Sequence, residues 1–198
     1  CNCEVARRVG EEGRFQQAAM DLIDSLNKRG VKKIITQCPH CYNTFKNEYP
    51  RFGATFEVTH HSQLIAQLLR EGKLKLKKGI EQSIAYHEPC NLGRYNDEYE
   101  APRNIIRTLS NGRLVELPRS RAKSFCCGGG GGLVALENET FREETGEAKV
   151  NQIKETGATI VATGCENCHT QLKFLGDRYK TEVKVEFLTN LVANSLVL

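Results

Sequence analysis

The sequence lacks the features of a secreted or membrane-spanning chain. Its uninterrupted apolar stretches are short, such as LVAL at 133–136, whereas a spanning helix needs roughly 20 apolar residues. No stretch has the charged start, apolar centre and small-residue end of a signal peptide. The chain also lacks an initial Met and begins at Cys1, inside a motif described below. We therefore expect it to be part of a longer polypeptide.

A strong charge of one sign is missing too. The formal net charge is +4 over 198 residues, and no basic stripe is interleaved with aromatic residues, so no nucleic-acid partner is expected. One local basic cluster lies within 71–79, and we favour a solvated linker there over a docking patch for an acidic partner. Its members are Lys73, Lys75, Lys77 and Lys78.

Cysteine is the residue that the chain has in unusual number. An odd count without a secretion signal argues against a disulfide framework. Two Cys-x-x-Cys pairs and one vicinal pair are spacings typical of metal or redox sites. The nine cysteines are Cys1, Cys3, Cys38, Cys41, Cys90, Cys126, Cys127, Cys165 and Cys168.

The two Cys-x-x-Cys pairs mark an internal repeat. When Cys38 is placed on Cys165, an offset of 127 positions, the flanking sequences align without a gap. RGVKKIITQCPHC (29–41) then lies over TGATIVATGCENC (156–168). We call residues 1–79 the first repeat, which is cut short at its amino end, and residues 80–198 the second repeat.

Both repeats predict the same order of elements. A helix that ends at a glycine leads to a β-branched strand, the Cys-x-x-Cys turn, a second helix, a short strand and a last helix. The second repeat adds strands in 83–89 and 112–117 and a helix from Pro102 to Leu109. Alternating strands and helices favour an α/β fold of two Rossmann-like lobes, each with a small, mainly parallel sheet flanked by helices.

The second repeat carries five cysteines, each set placed after a predicted strand. Because the carboxyl ends of parallel strands share one edge of a sheet, we expect these thiolates to converge. Structural zinc takes four ligands, so a fifth thiolate would be surplus. Soft thiolates also hold iron–sulfur clusters, and an ordinary cubane uses four cysteines. Spacing alone leaves both a zinc site and a cluster open.

A run of five glycines, Gly128 to Gly132, follows the vicinal pair. Glycine lets the backbone approach closely and turn its N–H groups toward sulfur. We expect Gly128, Gly129 and Gly130 to contact the bound group, with the positive end of a helix starting near Leu133 directed at it. A phosphate-binding loop is the alternative interpretation of the glycine run. The run lacks the lysine of a Walker motif, which argues against that alternative.

The pattern Cys90-x35-Cys126-Cys127-Gly128-x36-Cys165-x-x-Cys168 resembles the cysteine-rich CCG domain of heterodisulfide reductase catalytic subunits and related iron–sulfur subunits. CCGGGGGL followed by GCENC is most similar to the D-type subunit of heterodisulfide reductase and to the K-type subunit of the complex linked to dissimilatory sulfite reductase. CPHCYNTFKNEYP also resembles the fused acyl-CoA-linked quinone reductases of this family.

The resemblance implies a noncubane [4Fe-4S] cluster on all five cysteines of the second repeat, where a disulfide or trisulfide substrate is reduced in one-electron steps. It implies as partners ferredoxin-type clusters upstream in the same polypeptide and other subunits of a redox complex, including a quinone-linked membrane cytochrome. We expect an anaerobic cytoplasm and a place at the cytoplasmic face of a membrane complex. The alternative is an electron relay with no substrate at the cluster.

The first repeat departs from this pattern. Cys38 and Cys41 match the Cys-x-x-Cys, but Cys1-Asn2-Cys3 stands where the vicinal pair and its glycine are expected. A cubane, a noncubane cluster completed by Cys3 and a degenerate site all stay open. We predict Cys38, Cys41 and Cys1 as ligands of a second [4Fe-4S] cluster, with Cys3 as a further candidate.

The histidines have plainer interpretations. His87 is a candidate proton donor, yet we favour a strand-end histidine bonded to backbone. We interpret His40 and His169 as surface turn residues rather than groups that tune a cluster. The pair His60-His61 starts a helix and is expected at a different edge, where a zinc site would lack further ligands. Cysteine–histidine acyl transfer is possible in principle but leaves nine cysteines unexplained.

Overall fold

The computed structural model describes residues 2–77, 79–135 and 138–197, and these form an α/β fold. The predicted ligand Cys1 and Lys78 of the basic cluster lie outside the described residues. The helices are α1 (Glu4–Arg8), α2 (Glu12–Lys28), α3 (Pro39–Asn43), α4 (His61–Arg70), α5 (Glu100–Leu109), α6 (Glu139–Thr156), α7 (Glu166–Arg178) and α8 (Leu188–Ala193). The strands are β1 (Lys33–Thr36), β2 (Glu57–His60), β3 (Ile84–Tyr86), β4 (Leu114–Val115), β5 (Ile160–Thr163) and β6 (Lys184–Phe187). A π-helical turn lies at Thr44–Glu48, and 3-10 turns lie at Tyr49–Phe52, Arg121–Lys123 and Leu133–Ala135.

All the strand pairings of the two sheets are parallel, which confirms the predicted fold class. Strands β1 and β2 form one sheet, and the other has the order β4-β3-β5-β6. Every residue of the central strands β3 and β5 is buried. Strands covered on both faces read as continuous apolar runs, as IAY and IVAT do.

The sequence repeat is matched element by element. Shifting β1 and β2 by the offset of 127 gives the bounds of β5 and β6, and α2 shifted in the same way covers all but one residue of α6. The division at residue 79 stays a prediction. The segment before it is tied to the chain's far end, since Leu76 bridges Leu196 in antiparallel fashion and Lys77 N–H donates to Ser195 O at 2.7 Å.

Two apolar clusters cover the two faces of the larger sheet. On one face Ile84 and Tyr86 pack with α5 and α8, and α4 of the first repeat also contributes Ile65 and Leu69 there. The two repeats therefore share a core. The other face packs beneath α6 and α7, and three of the predicted ligand cysteines are part of it. That cluster contains Ala85, Leu117, Cys127, Ile153, Ala158, Val161, Cys165, Cys168 and Leu172.

Two predicted boundaries are wrong in detail. The helix expected from Leu133 is a single 3-10 turn, and α6 begins at Glu139. The reason is the cap: the Asn138 side chain accepts a hydrogen bond from Phe141 N–H at 3.0 Å, and asparagine is a favoured N-cap residue. The strand expected over 112–117 is reduced to the two residues of β4.

Candidate cysteine-rich metal centre

The loops that leave the sheet carry the five cysteines of the second repeat to one place. Cys90 follows β3, and Cys165 follows β5 as the N-cap residue of α7. The vicinal pair differs from the prediction, because it does not directly follow a strand. It comes after the 3-10 turn at Arg121–Lys123, some distance beyond β4.

Four of these thiols form one connected set. Cys127 is in hydrogen-bonding contact with Cys126 and Cys168, and Cys168 is in contact with Cys165. Cys90 lines the same cavity as Cys126, Cys127 and Cys168. All five are free thiols, and Cys126 is the exposed one of the set. The structure thus brings together every predicted ligand of the second repeat.

The contacts divide the thiols into acidic and weakly acidic ones. Contact with Cys126 and then Cys168 lowers the pKa of the Cys127 thiol well below its usual range, against the effect of burial. Contact with Cys168 lowers the pKa of Cys165 to about 5. The same contacts raise the pKa of Cys126 and of Cys168. Because the thiolate is the ligating form, this arrangement is prepared to bind a cationic group.

His87 lies within this set. Its ligand atoms and those of Cys127 and Cys168 are all within 4.8 Å of one another, and all three residues are buried. His87 contacts the Cys127 thiol, while its Nδ1 has no hydrogen-bond partner among the described residues. The interpretation favoured from the sequence was that the His87 ring hydrogen-bonds to backbone, and for Nδ1 it is therefore wrong.

The glycine run packs between helices rather than only against sulfur. Gly128 N–H donates to Cys126 Sγ at 3.3 Å, with φ at +84°. A β-carbon on Gly128 would lie 2.8 Å from Thr145 Oγ1 of α6, and one on Gly129 would lie 2.8 Å from Gln171 Cβ of α7. Gly130 lines the cysteine cavity, and a β-carbon there would meet open space.

A buried ion-pair network supports the cysteine loops, and the sequence analysis missed it. The guanidinium of Arg103, fully buried, donates to Glu88 at 2.6 Å and to Glu116 at 2.7 and 2.8 Å. Glu88 also accepts from Arg121 N–H at 2.6 Å, which joins the loop before Cys90 to the turn before the vicinal pair. The signal in the sequence that could have indicated this network is the position of Arg103 on the apolar face of its helix.

The first repeat places its Cys-x-x-Cys in the equivalent turn. Cys38 is the N-cap residue of α3, and its Sγ accepts from Cys41 N–H at 3.5 Å. Contact with Cys41 lowers the pKa of Cys38 to about 6 and raises that of Cys41. Cys3 is the left-handed N-cap residue of α1 (φ 53°), half-buried. Burial, and then the charges of Cys3 and Cys41, raise the pKa of Tyr49 to about 12, so both cysteines lie near that ring.

His40 joins the two cysteine sets, so its interpretation as a surface turn residue is wrong. It is 8% exposed, and its Nδ1 lies 3.3 Å from Glu4 Oε1. It also hydrogen-bonds to the Cys165 thiol of the other repeat. Although burial acts against it, these two hydrogen bonds raise the pKa of His40 to about 11. The charges of Cys38 and Cys165 also interact, which makes the two Cys-x-x-Cys turns neighbours.

The pair His60-His61 lies beside these turns and not at a different edge. The ring Nε2 of His60 is 3.0 Å from Gln37 O, and a β-carbon on Gly164 would lie 3.4 Å from His61 Nε2. Gln37 and Gly164 occupy equivalent positions of the repeat, each just before a Cys-x-x-Cys. The two histidines therefore pack where the two repeats meet.

His169 and its partner show the repeat in another way. His169 stacks on Phe187 with ring centroids 3.9 Å apart, and Tyr42 meets His60 edge-on at 5.8 Å. Tyr42 is equivalent to His169, and His60 is equivalent to Phe187. Each repeat thus pairs a histidine with an aromatic residue, in exchanged positions. His169 is half-buried beside Cys168, so it is not simply a surface residue.

Comparison with known proteins gives one family and several relatives. The chain matches the CCG cysteine-rich domain family over residues 1–46 and 84–173. It is 40% identical to a probable iron-sulfur-binding oxidoreductase, FadF, of Bacillus subtilis, over 96% of this chain and 28% of that protein. It is 36% identical to the EtfAB:quinone oxidoreductase of Syntrophomonas wolfei, over 87% of this chain and 25% of that protein.

A third relative belongs to a reductase of several subunits. The chain is 34% identical to the D-type subunit of the dihydromethanophenazine:CoB–CoM heterodisulfide reductase of Methanosarcina barkeri, over 91% of this chain and 45% of that protein. The chain thus spans between a quarter and just under half of the length of these relatives. Among the described helices, none combines the length and apolar composition needed to cross a bilayer.

Proposed function

The chain belongs to the CCG cysteine-rich domain family, and from that premise we propose that it is an iron–sulfur module of a larger oxidoreductase. The second repeat would hold a [4Fe-4S] cluster of the noncubane type on Cys90, Cys126, Cys127, Cys165 and Cys168. The observation that carries this proposal is that each of these free thiols contacts another of the set or lines one shared cavity.

The chemistry of the donor set fits such a group. Five thiols exceed the four ligands of a structural zinc ion, and two of them have a lowered pKa. Soft thiolates surrounded by apolar core residues are the usual environment of iron–sulfur clusters. When bound, the cluster takes up and releases electrons one at a time. Gly128 N–H and His87 supply hydrogen bonds to the ligand sulfurs.

The first repeat would hold a second [4Fe-4S] cluster on Cys38, Cys41 and Cys1, with Cys3 as a further candidate. Its two described Cys-x-x-Cys thiols are in contact, as are those of the second repeat. The proximity of the two turns, joined through His40, would place two redox sites next to each other.

Electron relay inside a redox complex is the function that this arrangement supports best. Adjacent redox sites suit the passage of electrons, and the relatives at 40% and 36% identity are oxidoreductases, one of them linked to quinone. The partners would be ferredoxin-type clusters in the same polypeptide and other subunits of the complex, including a quinone-linked membrane cytochrome. The module would lie at the cytoplasmic face of that membrane.

Reduction of a disulfide or trisulfide at the second repeat is the other candidate. Exposure of Cys126 favours it, because a substrate could reach the thiol set from solvent at that point. The relative at 34% identity is part of a heterodisulfide reductase. Converting a disulfide to two thiols consumes two electrons, which the complex would deliver, and two protons. His87, buried against Cys127, is the group of this chain placed to hold one of them.

Anaerobic reconstitution with iron and sulfide, followed by electron paramagnetic resonance, tests the cluster and separates the two functions. Both require iron and sulfide bound at the second repeat, and a chain that binds zinc alone contradicts both. A heterodisulfide added to the oxidised protein distinguishes them. A new paramagnetic signal that depends on the added substrate supports reduction, whereas an unchanged spectrum supports relay.

A further inference from the structure

One buried cation has no role in the site described so far. Lys149 of α6 is 0% exposed, and among the described residues its Nζ donates one hydrogen bond, 3.3 Å to Gln152 Oε1. No carboxylate of the described residues forms an ion pair with it. Burial of an ammonium group is costly unless an anion compensates its charge. The fold therefore keeps a positive charge inside with no carboxylate of the described residues in ion-pair contact with it.

The surroundings of Lys149 indicate which anion that is. Thr145, one turn earlier on α6, packs against Gly128 directly after the vicinal pair. The charges that act on the ammonium group are those of Cys127, Glu88, Cys126 and Cys168. Burial lowers the pKa of Lys149 to about 8, and these neighbouring anions oppose that effect. At neutral pH the group is a buried cation on α6 that interacts with the charges of the thiol set.

The repeat shows that the fold itself does not require this lysine. The equivalent position of the first repeat is Leu22 of α2, which packs against the apolar cluster of Phe15, Ala19 and Ile23. An apolar side chain satisfies the same helix position there. At this helix position the two repeats therefore differ in the charge placed near the metal centre, and not in how the helix packs.

We propose that Lys149 is a positioning residue that raises the reduction potential of the second-repeat cluster. The inference rests on the proposed function. A fixed positive charge in a medium of low dielectric constant favours the state that carries one more electron.

Replacement of the charge tests the inference. Lys149→Leu installs the residue of position 22, and Lys149→Met is a second neutral variant whose unbranched chain follows the shape of lysine. Lys154→Leu is the matched control, since Lys154 lies exposed on the same helix, where water and salt screen its charge. Each reconstituted protein would be titrated anaerobically at pH 7, with the cluster signal followed by electron paramagnetic resonance.

We expect both neutral variants to retain iron and sulfide and to shift the reduction equilibrium by roughly tenfold or more toward the oxidised cluster, about 59 mV for one electron. Lys154→Leu should shift it far less. An unchanged midpoint in the neutral variants overturns the inference and leaves the proposed function intact. Loss of the cluster from both neutral variants also overturns the inference, because Lys149 would then be required for cluster assembly. A wild-type chain without iron and sulfide overturns the proposed function and the inference together.

Discussion

His40 of the first repeat hydrogen-bonds to the Cys165 thiol of the second repeat, and Glu4 anchors its Nδ1 at 3.3 Å. The equivalent position of the second repeat holds Asn167 in place of a histidine. A donor to a ligand sulfur stabilises the more negatively charged, reduced cluster. This single contact joins the two repeats, and it would affect the redox properties of a cluster bound at the second site.

We expect His40→Asn to lower the reduction potential of the second-repeat cluster, since the shorter amide does not restore both hydrogen bonds. An anaerobic redox titration of the reconstituted chain measures this. His169→Asn is the control, because that ring stacks on Phe187 beside the other Cys-x-x-Cys turn. Equal shifts in the two variants would mean that the His40 contact has no special role.

The glycine run offers a matched pair of substitutions. Gly128→Ala should lower both iron content and the thermal unfolding midpoint, because φ is +84° and the added methyl group would lie 2.8 Å from Thr145 Oγ1. A left-handed non-glycine residue costs about 1–2 kcal/mol before any steric clash. Gly130→Ala should leave the thermal unfolding midpoint of the metal-free chain nearly unchanged, since its β-carbon would meet no protein atom. Equal losses at the two positions would contradict the close-packing account.

Removal of the buried guanidinium should be strongly destabilising. Arg103→Met leaves Glu88 buried without its cation, and breaking such a pair costs about 3–5 kcal/mol of unfolding free energy. Arg107→Met removes an exposed pair with Glu100 on the same helix, which contributes about 1 kcal/mol or less. Denaturant unfolding of both variants measures the difference. A loss for Arg103→Met as small as that for Arg107→Met would contradict the supporting role of the network.

Acid should destabilise the fold through the two buried histidines. Burial, and for His60 the neighbouring His61 as well, lowers the pKa values of His60 and His61 to about 3 and 4, below the value near 6.5 in an unfolded chain. As the pH falls below about 6.5, the unfolded chain binds protons that the folded chain does not, so the free energy of unfolding decreases until the folded chain binds them too, near pH 4 for His61 and pH 3 for His60.

His61→Leu, which installs the residue of equivalent position 188, should make this decrease smaller. Urea unfolding of the metal-free chain at pH 7 and pH 5, compared between wild type and variant, is the measurement. A variant that loses as much stability as the wild type between these two pH values would contradict the assignment of buried, neutral histidines.

The helices and strands could be predicted well because the internal repeat presents the same order of elements twice in the sequence. The β-branched runs before Cys38 and Cys165 and the glycines before those runs gave the strands and helix ends in both repeats. Boundaries failed where a local cap decided them, as at Asn138, or where only two residues pair, as in β4. The convergence of Cys90 with the Cys165-x-x-Cys168 turn followed from a general property of parallel sheets, whereas the vicinal pair reaches the site from a 3-10 turn beyond β4.

The histidines show what the sequence could not provide. His40, His60 and His61 looked like turn or helix-start residues, because local spacing says nothing about how two repeats face each other. Their burial arises at the contact between the repeats, which joins residues far apart in the chain. The partnership of Arg103 with Glu88 and Glu116 is of the same kind.

Iron and acid-labile sulfide per chain, measured after anaerobic reconstitution, test the central claim most directly. The chain to use carries Cys38→Ser and Cys41→Ser, which remove the first-repeat ligands and isolate the second site. We expect about four irons and four sulfides in that chain and a large loss of both when Cys127→Ser is added. Fewer than about three irons, or zinc bound without sulfide, would contradict a [4Fe-4S] cluster on the five cysteines of the second repeat.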